Sequence, residues 1–179
     1  MRVRSAGVLA ALAAAVVLAG CGNEASQRGG IISPVSGRLL VTPEGTPGFV
    51  SLGSTDIHVR FPSGAVTVPT TFNVGKVQSE AELIAPLPPG RIFVGGLNFF
   101  GAALNRGTPV EFRVPVALTV SPGTSVQVFF VDPTVAPLQF RPVLDDAGNA
   151  VFSQVISLSG LRVPFATTLM GQFVFTTVP

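Results

Sequence analysis

His58 stands two residues after Asp56 and two before Arg60, with the apolar Ile57, Val59 and Phe61 interleaved. An aspartate beside a histidine is the pairing that orients an imidazole for general acid–base work. The alternation argues for something plainer. Residues at i and i+2 share one face of a strand, so the three polar side chains read as its solvated face. A serine nucleophile would need a presenting turn such as G-x-S-x-G, and the chain has none. Asp145, Asp146 and Asn149 offer oxygens to calcium, but not at EF-hand spacing, and Asp146-Ala147-Gly148-Asn149 is what a hairpin turn demands. Glu80 and Glu82 read as a solvated loop, and Gly95-Gly96 lacks the spacing of a dinucleotide fingerprint, marking instead a bulge or close packing in a strand. One histidine and one cysteine, Cys21, exclude a zinc site of the usual composition. The expectation is therefore no catalytic residue, no metal and no cofactor.

The elements that would carry these residues are strands. Val110, Phe112, Val114, Val116, Leu118 and Val120 alternate with Glu111, Arg113, Pro115, Ala117 and Thr119, predicting one long half-buried strand. Pro115 removes a backbone donor, which predicts an edge position or a bulge. Ile57, Val59 and Phe61 predict a second strand, and Val66, Val68, Phe72 and Val74 continue its apolar face beyond the turn Pro62-Ser63-Gly64. Further strands are expected at 38–42, 91–100, 125–131, 138–143, 151–158 and 167–176, separated by Pro- and Gly-rich turns. Ser79 to Ile84 has room for one short helical turn and no more. The adjacent pairs Phe99-Phe100 and Phe129-Phe130 put one ring on each face of a strand, expected to lie between packed layers rather than in an exposed patch. Together these predict an all-β fold, a single antiparallel β-sandwich of about seven to nine strands.

Composition agrees. The chain has 20 glycines, 16 prolines and 14 phenylalanines, with no tryptophan or tyrosine to serve as a sugar platform. Charged residues are only 11% of it, so much of the surface must be uncharged.

The sole cysteine ends the run Leu18-Ala19-Gly20-Cys21. Arg2 and Arg4 precede an apolar stretch from Ala6 to Gly20, shorter than the ~20 residues a membrane span needs. This is the layout of a secretory signal. With cysteine at the cleavage point it resembles the lipobox of bacterial lipoproteins. The resemblance implies cleavage between Gly20 and Cys21, a diacylglyceryl thioether on the Cys21 sulfur and an acyl chain, such as palmitate, on its new amino group. Residues 1–20 are then the signal peptide, 21–30 a lipidated cysteine and flexible tether, and 31–179 the β-sandwich domain. Losing Arg2 and Arg4 leaves nine basic against nine acidic residues, a neutral chain with no electrostatic case for nucleic acid. The tether spans roughly 17 Å as a flexible coil. Gly22 rather than aspartate follows the cysteine, which resembles the outer-membrane default in cells with two membranes.

Phe61-Pro62-Ser63-Gly64-Ala65-Val66 is similar to the "P-x-G-A" turn of ZU5-type β-sandwich domains, and Phe112-Arg113-Val114-Pro115-Val116 to that family's "F-x-x-P-V" strand. A tryptophan usual later in the family is replaced by the neighbourhood of Leu138-Gln139-Phe140. The resemblance implies a noncatalytic interaction module and carries over no site residue. The expected function is thus a lipid-anchored envelope lipoprotein, held to the membrane through Cys21 and acting on an envelope protein partner. The alternative is a carrier enclosing a lipid or other hydrophobic ligand in an apolar cavity.

Overall fold

A computed structural model describes residues 36–117 and 119–178. The chain there is almost entirely strand and turn. Its strands are β1 (Ser36–Val41), β2 (Val50–Ser51), β3 (His58–Arg60), β4 (Thr70–Val77), β5 (Ile92–Gly101) and β6 (Val110–Pro115). There follow β7 (Ser125–Val131), β8 (Arg141–Pro142), β9 (Phe152–Gln154), β10 (Ile156–Ser157), β11 (Leu161–Thr167) and β12 (Gly171–Thr177). All pairings are antiparallel, in two sheets. The larger sheet runs β1-β4-β5-β12-β7-β8, with β9 also on β7; the smaller runs β10-β11-β6-β3-β2. This is the all-β sandwich the sequence predicts. Twelve strands are described rather than seven to nine, because five of them are only two or three residues long.

Phenylalanines fill the space between the sheets. Phe61, Phe72, Phe99, Phe112, Phe165, Phe173, Phe175 and Phe130 form an unbroken chain of ring contacts with neighbouring centroids 4.8–5.3 Å apart. Val41, Val74, Leu97, Val114, Val128 and Val163 close around them. The outer face of the larger sheet has its own apolar cover: Phe129, Val131 and Val174 pack under Ala85, Phe140 and the half-buried Leu83, Ile84 and Leu87. Phe99 and Phe130 of the two phenylalanine pairs face the other sheet, Phe129 lies under the loop cover, and Phe100 is half-buried.

Four strand expectations need correction. The eleven-residue strand from Val110 stops at Pro115, and β6 lies at the centre of its sheet, not at an edge. The proline is tolerated because β3 ends opposite Arg113, so the Pro115 nitrogen faces no strand. Beyond it the chain changes sheets: the Val116 N–H donates to Leu161 O and the Ala117 N–H to Val94 O. Residues 151–158 likewise break into β9 and β10, one in each sheet, with buried Val155 at the crossing. The segment 138–143 keeps only the two-residue β8. Finally, 167–176 is the junction of two strands, β11 and β12, joined at Thr168–Met170. The helical turn expected near Ser79 is a single 3-10 turn, Glu80–Glu82.

Gly95 and Gly96 sit at the predicted irregularity, where the β12–β5 register shifts between Phe175 and Thr176. A Cβ on Gly96 would fall 2.6 Å from the Phe173 carbonyl oxygen, so only glycine lets β5 and β12 approach.

Candidate functional site

The smaller sheet's outer face carries the chain's one histidine. Cross-strand register aligns Ser51, His58, Arg113 and Pro164 in one row across β2, β3, β6 and β11, and Arg60, Glu111 and Ala166 in the next. Side chains alternate across these strands because Val59, Phe112 and Val163 are committed to the core.

His58 and Asp56 do not form a dyad. The Asp56 carboxylate accepts instead from Arg162 Nη2 at 2.8 Å. Arg162 is only 1% exposed, although it stands on the outward face of β11. Its Nε donates to Leu158 O at 2.9 Å, and its Nη1 to the Asp56 carbonyl. A guanidinium offers five donors in a planar fork, and here it clamps two loops over itself: Gly53–Asp56, ending in left-handed Asp56 (φ 54°), and the turn at Ser159-Gly160. The sequence reading missed this arginine together with its strand. His58 is half-buried, and burial, then Arg162, hold its pKa below the ordinary value, with Arg113 adding to the effect and Asp56 opposing it.

Arg60 is likewise committed. Its Nη2 meets Glu111 Oε1 at 2.5 Å, and its guanidinium lies 6.0 Å from the centre of the Phe49 ring. Arg113 reaches across β3 to stack on Phe49, 3.8 Å from the ring centre. Phe49 gave no sequence signal, since Pro47-Gly48 precedes it and its alternation is too short to read.

The other candidates are turns. Asp145 Oδ1 accepts from the amides of Asn149 (2.8 Å) and Ala147 (3.0 Å), and these bonds, led by Asn149, lower its pKa. Gly148 supplies the positive φ of 82°. The carboxylate is occupied by its own backbone, as a hairpin turn requires. Glu82 accepts from the Gln78 amide at 3.2 Å, and its carbonyl receives Gln172 Nε2 at 3.0 Å. Gln172, fully buried, also accepts from the Ile84 amide at 2.9 Å and donates to Asn98 Oδ1 at 2.9 Å. It thus pins the loop that covers the larger sheet. Among the described residues no group of three or more His, Cys, Asp and Glu side chains gathers, and no helix is long and apolar enough to cross a membrane.

Shallow notches open on the surface of the described residues. One of about 290 Å³ lies between Val66-Thr67 and Ala103–Arg106; one of about 120 Å³ lies where the chain changes sheets at Pro115–Ala117. Neither brings a histidine or a carboxylate together with a nucleophile. Gly20 and Cys21 lie outside the described residues. Compared with known proteins, the chain matches no family model and no curated protein sequence. The class in hand is therefore a β-sandwich, defined by its fold alone.

Proposed function

We propose that this chain is a bacterial envelope lipoprotein, cleaved before Cys21 and lipidated there, whose β-sandwich is a noncatalytic protein-interaction module. The observation that carries the anchor is Leu18-Ala19-Gly20-Cys21 at the end of a short apolar run behind Arg2 and Arg4. Two or more acyl chains give stable anchoring, where one is marginal. Gly22 after the cysteine favours the outer membrane in a two-membrane cell.

For the domain, two features support interaction over catalysis or carriage. The one histidine lacks the oriented carboxylate a general base would use, since Asp56 is held by Arg162. The space between the sheets is filled by stacked phenylalanine rings where a carrier needs a lumen. The test of the anchor is Cys21→Ala with metabolic palmitate labelling and membrane fractionation. Loss of label and release from membranes, or a block in processing, is expected. A Cys21→Ala chain that stays labelled, processed and membrane-bound would overturn the reading.

A further inference from the structure

On the smaller sheet's outer face Phe49 lies between two arginines that are treated differently. Arg60 has a carboxylate, Glu111, at 2.5 Å. Arg113 stacks closer to the same ring, at 3.8 Å, and among the described residues has neither a carboxylate nor a hydrogen-bond acceptor. It is half-buried and rises from the middle of the central strand, so ring and sheet hold it in place before anything binds. His58, its cross-strand neighbour, also has no hydrogen-bond partner among the described residues, and with Ser51 and Pro164 it extends the row across four strands. The charges facing His58 are Arg113 from β6, Arg162 from β11 and Asp56 from its own loop. Asp56 and Glu111 are spent on Arg162 and Arg60, which leaves the charge of Arg113 unbalanced on this face.

We propose that this face docks an acidic segment of a protein partner, one of whose carboxylates takes on Arg113 the place that Glu111 takes on Arg60. A guanidinium stacked on an aromatic ring keeps its in-plane N–H fork free, the geometry that receives a carboxylate through two hydrogen bonds. His58 stands beside it as a further donor. The inference rests on the interaction reading above and names the chemistry of the partner.

The only histidine in the chain is also the probe. The full chain in zwitterionic nanodiscs is titrated with an end-blocked hexaglutamate peptide while the imidazole resonances of His58 are followed by NMR. Saturable shifts are expected, absent with hexaglutamine, together with a rise in the His58 titration midpoint as a negative group arrives. Arg113→Gln should weaken binding about tenfold or more, the loss of one charge-assisted contact. Arg106→Gln, an exposed arginine elsewhere, should leave it unchanged, and far-UV circular dichroism checks that both variants fold. No saturable shift, or equal affinity in Arg113→Gln, overturns the proposal. So does a response only to nanodiscs containing anionic lipid, which would make the face a membrane contact. These failures leave the anchor and the wider interaction reading intact, because those are read from Cys21 processing and from partner capture in cells.

Discussion

Replacing Arg162 separates two ways in which it could hold the domain together. As an ion pair with Asp56 it would be weak: the Asp56 side chain is 61% exposed, and pairs so solvated contribute about 0–1 kcal/mol. As a clamp on backbone carbonyls it is far stronger, because Leu158 O and Asp56 O lose their donor when the guanidinium leaves a site only 1% exposed. Each of these part-buried hydrogen bonds from a charged donor contributes about 1.5–3 kcal/mol, and the vacated side-chain volume adds to that. Arg162→Ala should therefore cost about 3–5 kcal/mol. Asp56→Asn, which keeps a residue tolerant of the left-handed backbone there, should cost under about 1 kcal/mol. Urea unfolding followed by far-UV circular dichroism is the assay, since a chain without tryptophan or tyrosine offers little intrinsic fluorescence. Equal losses in the two variants, or a loss under 1 kcal/mol in Arg162→Ala, would refute the reasoning.

Three further outcomes follow from the same packing. Gly96→Ala forces a Cβ to within 2.6 Å of a backbone oxygen and should lower stability by about 1–3 kcal/mol, read as a lower urea midpoint. Gln172→Ala strands the Ile84 amide and Asn98 Oδ1, so hydrogen exchange at Ile84 should accelerate while the central strands stay protected. His58 has a folded pKa below the ordinary 6.5, so the unfolded chain binds the proton more readily. Stability from this group is complete above about pH 6.5 and falls as pH drops through the folded value; His58→Gln should flatten that slope in urea midpoints taken across pH 5–8.

The sequence disclosed what alternation and turn chemistry encode locally. Ser125–Val131 was legible to the residue, and Gly95-Gly96 announced a bulge that the register of β5 and β12 contains. Strand β11 was not legible, because Arg162 and Pro164 break its pattern in ways only tertiary context excuses. Pro164 is tolerated because β10 has already ended opposite Arg162, and Arg162 is buried because two distant loops bring carbonyls to it. The same holds for the site. His58 and Asp56 are near neighbours in sequence, yet the partner of Asp56 lies 106 residues away. Strand pairing also decided the setting of Arg113: its row comes from β2, β3 and β11 and its ring from Phe49 just ahead of β2, which no local pattern connects to β6.

Partner binding is tested most directly in living cells, with a photo-crosslinking amino acid at Ser51, exposed on the row of His58 and Arg113. The anchored chain should give a discrete adduct with one envelope protein, and that adduct should disappear in Cys21→Ala. Absence of any protein adduct from this face, in cells where the chain is lipidated and folded, would contradict the claim that the sandwich works by binding a protein partner there.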